Sequence, residues 1–152
     1  MPVRVLMVCL GNICRSPLAE GILASKTCPE NIAVDSAGTA GYHVGNPPDS
    51  RSVEVAASHG IDISGQRCRR FSQADFDEFD YIFAMDRENL VHLQELARSP
   101  ADLEKVSLLL GAAEMPEEEV PDPYYGGDDG FLHVYRLIDR ATDRLLESFL
   151  SR

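Results

Sequence analysis

Val3-Arg4-Val5-Leu6-Met7-Val8-Cys9-Leu10-Gly11-Asn12-Ile13-Cys14-Arg15-Ser16-Pro17 is the stretch on which the fold and most of the chemistry turn. An apolar, β-branched run ends at a cysteine, the chain bends through Gly11 and Asn12, and a helix is predicted to open at Ser16-Pro17. Ser is a preferred N-cap, and Pro suits the first helical position because its missing N–H would be unpaired there anyway. In such a strand–loop–helix turn the backbone N–H groups converge on one point, and the helix dipole adds partial positive charge. Leu10, Gly11, Asn12, Ile13, Cys14 and Ser16 are therefore the candidate phosphate-binding positions. Arg15 adds a planar guanidinium that can hold two oxygens of a tetrahedral anion. Donors that bind phosphate also stabilise a thiolate, so Cys9 is placed as a nucleophile at the base of an anion cradle. A buried, inert Cys9 capping a strand is the alternative.

Outward from that loop, apolar runs alternate with helical patterns. Strands are predicted near Val3–Val8, Ile32–Ser36, Tyr81–Met85 and Val106–Leu110, and helices near Pro17–Lys26, Ser50–His59, Asp86–Arg98 and Phe131–Leu150. Short β-rich runs separated by helices imply right-handed crossovers and a parallel sheet covered on both faces. The expectation is an α/β fold: one doubly wound domain over residues 1–152, with a four-stranded parallel sheet. In the last helix Val134, Ile138, Ala141, Leu145 and Phe149 recur at three-to-four spacing and form one buried stripe. Gly111–Gly130 is the one long irregular stretch, and such loops in compact domains are usually functional or mobile. Ligands in open parallel sheets sit beyond the carboxyl ends of the strands, where Cys9 lies.

The net charge of −11 argues against nucleic acid or an anionic membrane as partner. An anionic substrate must be captured by a small local positive site against the overall field. The N-terminal apolar run is too short for a signal core or a membrane span, which predicts a cytosolic protein. Cys9, Cys14, Cys28 and Cys68 form no CxxC pair and match no His spacing, so a structural zinc site is not expected and thiols are.

Phosphoryl transfer from an ester to cysteine needs a proton donor for the leaving oxygen. Val120-Pro121-Asp122-Pro123-Tyr124-Tyr125-Gly126-Gly127 offers one: Asp122 lies between two prolines that restrict its backbone. Tyr124 and Tyr125 are placed to wall an aromatic substrate. An ordinary aspartate in an acidic loop is the competing reading.

The N-terminal loop, Asp35-Ser36-Ala37-Gly38-Thr39, Gly45-Asn46-Pro47-Pro48-Asp49, Phe79-Asp80-Tyr81-Ile82 with Met85-Asp86, and Asp122-Pro123-Tyr124-Tyr125-Gly126 occur in order. Together they resemble the low-molecular-weight protein tyrosine phosphatases over nearly the whole chain. The resemblance implies hydrolysis of protein phosphotyrosine, with inorganic phosphate as product and no metal or organic cofactor. It implies Cys9 as nucleophile, Arg15 as phosphate clamp, and Asp122 as general acid and then base. It implies that Ser16 hydrogen-bonds the Cys9 sulfur, and that Cys14 forms a reversible disulfide with Cys9; packing under the loop is the alternative for Cys14. It suggests an Asn12 tether that includes Ser36, and an Asp86 that braces Arg15, caps a helix, or does both. Tyr42 and His43 fall in the segment that walls the family's pocket. Many family members carry a His in the Asn12 network, where this chain has Gln66, so either Gln66 takes that role or the tether is rebuilt. His59-Gly60 is read as a helix end, with pairing of His59 to Glu20 as the alternative.

Two related activities fit less well. Thioredoxin-linked arsenate reductases of this kind need further cysteines after the third strand, and Asp86–Pro100 has none. Arginine phosphatases resembling this family tend to have Thr where Ile13 stands, and a branched apolar side chain suits a phenyl ring better. A catalytically silent phosphate-binding protein would not need Cys9, Arg15 and Asp122 together.

Overall fold

In the computed structural model, which describes residues 2–124 and 128–148, β1 (Val3–Cys9) is an inner strand flanked by two parallel neighbours. The sheet order is β2 (Ile32–Gly38), β1, β3 (Tyr81–Ala84), β4 (Val106–Leu108), and every pairing is parallel. Val3 pairs with Ile32 and Cys9 with Gly38 on one edge of β1, while Val5 to Val8 pair with Tyr81 to Ala84 on the other. The chain thus winds from β1 to one side and then returns to the other. The crevice at that reversal, beyond the carboxyl end of β1, is where open α/β sheets bind ligands.

Side chains alternate across a strand, and β1 is buried on both faces because each alternate set has its own core. Val5, Met7 and Cys9 enter one apolar cluster with Leu18, Ile22 and Leu23 of α1 (Arg15–Ser25). Ala56 of α2 (Ser50–Ala57) and Val134, Ile138 and Leu145 of α7 (Asp128–Ser148) complete it. Leu6 and Val8 enter the other with Phe76 of α3 (Asp75–Glu78), Phe71, Phe79 and Leu93 of α4 (Arg87–Leu96). The doubly wound reading therefore holds. The stripe on α7 is fully buried at Val134, Ile138, Ala141 and Leu145; Phe149 lies outside the described residues.

Three differences from the sequence reading have physical causes. α1 begins at Arg15 after an N-cap at Cys14 that has no side-chain cap bond, so Ser16 is not the cap; its hydroxyl is committed to Cys9 and Asn12 instead. β4 stops at Leu108, and the apolar Leu109 and Leu110 are buried in the short helix α6 (Leu109–Ala112). A short apolar run cannot be assigned to strand or helix by periodicity. α3, α5 (Pro100–Glu104) and α6 have four or five residues, too few to show a helical period.

Gly38 ends β2 directly beneath the loop after β1. A β-carbon there would stand 2.8 Å from the Leu10 carbonyl oxygen and 3.1 Å from the Asn12 nitrogen. Both obstacles are backbone and cannot rotate away. Gly38→Ala is expected to lower stability by about 1–3 kcal/mol, the usual cost of overpacking. Gly65→Ala, with open space around the added carbon, should leave the thermal midpoint unchanged. Paired thermal unfolding curves check both, and an undisturbed Gly38→Ala midpoint would mean that the loop yields freely.

Candidate active site

The loop between β1 and α1 makes its tightest turn at Asn12, the residue there with positive φ (57°). Asn tolerates the left-handed region better than most side chains because it can bond locally. Here its side chain and main chain are both occupied. The Asn12 amide donates to Ser16 Oγ at 2.8 Å and to Ser36 Oγ at 3.0 Å, and Oδ1 accepts from the Arg69 N–H at 3.0 Å. The Cys68 thiol donates to the Asn12 carbonyl at 2.8 Å. Ser36 Oγ in turn donates to Glu20 Oε1 at 2.7 Å.

Cys9 and Arg15 are almost wholly buried, and Cys9 Sγ lies 3.1 Å from Ser16 Oγ. Ser16 Oγ already accepts from Asn12, and its other acceptor, the Ala37 carbonyl, is 3.5 Å away. The hydroxyl hydrogen is therefore best used on the sulfur. Arg15 Nη1 donates to Asp86 Oδ2 at 2.6 Å and to the Val120 carbonyl at 2.9 Å, while Nη2 lies 3.8 Å from Asp122 Oδ2. Asp86 has both of the roles raised for it. It braces Arg15 with one oxygen and caps α4 with the other, accepting from the Asn89 N–H at 2.8 Å. Burial pulls the Arg15 guanidinium pKa down, but Cys9, Asp86 and Asp122 outweigh it and leave the pKa raised.

A cavity of about 320 Å³ opens over Cys9 and Arg15. Leu10, Gly11, Ile13 and Cys14 line it from the loop, and Tyr42, His43, Asp122 and Tyr124 from the surrounding segments. Tyr42 is 77% exposed at the rim and meets the His43 ring edge-on. A β-carbon at Gly11 would stand 3.1 Å from the His43 ring, a tight contact that the ring would have to ease by a few tenths of an ångström. Asp122 accepts from the Tyr124 N–H at 3.0 Å. Tyr125, read as a wall residue, lies outside the described residues.

Several supporting residues were not anticipated. Gln66 does not enter the Asn12 network: its amide donates to the Pro17 carbonyl at 3.1 Å, and its buried Oε1 has no partner among the described residues. The tether is rebuilt through Glu20, Cys68 and the Arg69 backbone. Their only signal in the sequence is proximity to motif residues, which does not specify a contact. α2 ends at Ala57 with Ser58 as its C-cap, two residues short of the predicted end at His59; Gly60 follows at φ 80°, the His59 ring stacks on Tyr135 at 3.9 Å, and no Glu20 pairing is seen. Burial pushes Cys14 up to about 12, helped by Asp49 and Cys9, so it is a thiol near neutral pH.

Fold and site together define a class: a doubly wound α/β protein with a loop carrying Cys and Arg beneath a cavity at the end of its inner strand. The family model described as low molecular weight phosphotyrosine protein phosphatase matches residues 4–152. The Homo sapiens low molecular weight phosphotyrosine protein phosphatase is 41% identical over 149 residues, covering 94% of this chain and 93% of that protein. The crystal structure of YfkJ from Bacillus subtilis superposes with a TM-score of 0.89 at 41% identity, covering 99% of this chain and 96% of that one. That of DARP, a Drosophila arginine phosphatase, gives 0.87 at 38%, covering 95% and 96%. This chain belongs to the low molecular weight phosphotyrosine protein phosphatase family, and so to the hydrolases. No helix among the described residues is long and apolar enough to cross a membrane.

Glu20 gives the site a testable titration. Burial raises its carboxyl from 4.5 to about 7; the Ser36 hydrogen bond lowers it, Asp35 raises it and Arg69 lowers it. Between those two values the folded protein keeps a proton that the unfolded chain has lost, so this group's contribution to stability falls as pH rises through the window. Glu20→Gln keeps an acceptor for Ser36 and removes the titration. Its thermal midpoint should fall less than the wild-type midpoint from pH 4.5 to 7. Identical pH dependence in the two proteins would show that Glu20 keeps its ordinary carboxyl value.

Proposed function

We propose that this chain hydrolyses protein phosphotyrosine through a cysteinyl-phosphate intermediate. The observation that supports it best is the convergence of Cys9, Arg15 and Asp122 on one cavity beyond the carboxyl end of β1. In this reading the phosphate sits against the backbone N–H groups of Leu10, Gly11, Asn12, Ile13, Cys14 and Ser16, with Arg15 spanning two of its oxygens. The Cys9 sulfur attacks phosphorus, the bond to the tyrosine oxygen breaks, and Asp122 gives that oxygen its proton. Asp122 then takes a proton from the water that attacks phosphorus, and the sulfur leaves, eased by the Ser16 hydroxyl. Inorganic phosphate is the product, and neither a metal nor an organic cofactor enters the scheme. Ile13, Tyr42 and Tyr124 wall the phenyl ring, with Tyr125 following in sequence.

Hydrolysis of phosphoarginine is the second reading, motivated by the similarity to the Drosophila arginine phosphatase. Ile13 on the cavity wall favours the aryl ester, because an apolar side chain offers a guanidinium no hydrogen bond. Turnover of a phosphotyrosine peptide well above that of free phosphoarginine is the expected result. A reducing cytosol is the proposed compartment, since Cys9 must be a free thiol to act.

Cys9→Ser should abolish turnover of p-nitrophenyl phosphate while vanadate binding survives, and EDTA should leave the wild-type rate unchanged. Asp122→Asn should lower kcat/KM, and less so for esters whose leaving group is already a stable anion. Residual hydrolysis by Cys9→Ser would sink the covalent route, and a uniform Asp122 effect across leaving groups would sink the acid assignment.

Redox control belongs to the same reading. Peroxide oxidises the Cys9 sulfur to a sulfenic acid and is itself reduced to water. Cys14 then attacks that sulfur, forming the disulfide and releasing a second water, and a dithiol reductant reverses the bond. Cys14 held as a buried thiol makes this capture slow. After matched peroxide doses, dithiothreitol should restore wild-type activity but not that of Cys14→Ser. Equal recovery, with no Cys9–Cys14 cross-linked peptide, would leave Cys14 a packing residue.

A further inference from the structure

Asp122 is held by one side-chain hydrogen bond among the described residues, accepting from the Tyr124 N–H at 3.0 Å. Its side chain is 43% exposed, and its approach to Arg15, at 3.8 Å, is longer than a hydrogen bond. Its position is inherited from the backbone on either side. On the N-terminal side the anchor is Val120, whose N–H donates to the Met85 carbonyl at 2.8 Å and whose carbonyl accepts from Arg15 at 2.9 Å. On the C-terminal side the Tyr124 carbonyl accepts from Arg51 Nη2 at 3.0 Å.

Arg51 is itself fixed from several directions. Its backbone N–H and Nε donate to Asp49 Oδ1 at 2.9 and 3.1 Å, and Nη2 donates to Oδ2 at 3.1 Å. Its guanidinium lies over the Phe131 ring at 4.6 Å and the Tyr124 ring at 5.5 Å. Asp49 is fastened to the nucleophile loop, its N–H donating to the Ile13 carbonyl at 2.8 Å, and Ser52 Oγ donates to the Cys14 carbonyl at 3.2 Å. The start of α2 thus holds the loop of Cys9 through the Asp49 N–H and the Ser52 hydroxyl, and the segment of Asp122 through the Arg51 side chain.

We propose that Arg51 is the positioning residue for the general acid, setting the distance between Asp122 and the Cys9 loop by tying the Tyr124 carbonyl to Asp49. The inference rests on Asp122 being the acid of the proposed mechanism. A guanidinium is required, because it must serve both oxygens of Asp49 and a carbonyl beside the Phe131 and Tyr124 rings; an ammonium meets only part of that set. The acid is useful only when its proton is within reach of the leaving oxygen. Loss of Arg51 therefore degrades proton donation and leaves the phosphate cradle, which is built from other groups, as it is.

The test is a series of aryl phosphates with phenols of increasing pKa, compared in wild type, Arg51→Met, Arg51→Lys and Asp122→Asn. Arg51→Met keeps an apolar stem for Phe131 and removes the donors. Its kcat/KM should fall about tenfold for the poorest leaving groups, a fraction of the roughly 10²–10⁴-fold that a general acid supplies. The loss should vanish for the best leaving groups, so the plot of log kcat/KM against phenol pKa steepens. Inhibition by inorganic phosphate should be unchanged, and Arg51→Lys should lie between Arg51→Met and wild type. A purely structural role would lower every substrate in parallel or weaken phosphate inhibition, and either result overturns the proposal, as does a wild-type slope. If Arg51→Met does not fold, Arg51→Lys against wild type makes the same comparison. Asp122→Asn separates the two levels: a wild-type slope in that variant refutes the acid itself, whereas a steep slope there with a wild-type slope in Arg51→Met refutes only the role of Arg51.

Discussion

Asn12 stands at a φ of 57° with its amide shared between Ser16 and Ser36, its side-chain oxygen on the Arg69 N–H, and its carbonyl on the Cys68 thiol. A chain that leaves a strand and enters a helix within five residues has few ways to turn its N–H groups onto one point, and a left-handed residue supplies one. Such a conformation costs free energy that the surroundings must offset. Here the four partners come from α1, β2 and the segment before α3, so the loop holds its shape only when those elements are assembled. The cradle is a product of the whole fold even though its residues are nearly contiguous in sequence.

The same dependence explains what was legible beforehand. Val3–Cys9 shows its strand by composition, and its burial on both faces by having no polar alternation beyond Arg4. α7 shows itself through Val134, Ile138, Ala141 and Leu145, because twenty-one residues are enough for a period to register. That Cys9, Arg15 and Asp122 would meet at one cavity was readable because each is a residue type with specific chemistry in a specific local setting. For Ser16 the local signal pointed to a helix cap, which the structure does not show, while its bond to the Cys9 sulfur was legible only through the family resemblance. Glu20, Cys68, Asp49 and Arg51 were out of reach, because their partners lie 16 to 73 positions away and only the sheet order brings them together. Asp49 closes a motif and Arg51 follows it closely, yet nothing local says that they face the acid segment.

Charge has a similar division between local and global. The chain carries −11 overall, and the site concentrates its own acids, Asp86 and Asp122, around a single buried guanidinium. Asp86 takes one edge of Arg15 permanently, since it is also the cap of α4 and cannot turn away without exposing the Asn89 N–H. That bond orients the fork and offsets part of the desolvation of the guanidinium. In the proposed mechanism the dianion is then held by the remaining edge of Arg15 together with the backbone N–H groups of the loop. A substrate held by these oriented groups is sensitive to loop geometry and comparatively insensitive to the protein's net charge.

The substitution of Gln66 for the His common in this family changes how that geometry is maintained. A histidine in the tether would change charge near neutral pH, and with it the strength of the bonds it makes. Gln66 cannot titrate, and it bonds the Pro17 carbonyl instead. The carboxyl member of the tether is Glu20, which meets Asn12 only through Ser36. A carboxyl oxygen accepts a hydrogen bond whether or not its partner oxygen is protonated. The Ser36 hydroxyl therefore keeps its direction in both states, its lone pairs stay turned to Asn12, and the loop is insulated from the titration beneath it. Protonation of Glu20 changes the free energy of the fold while the hydrogen-bond pattern that shapes the cradle is preserved.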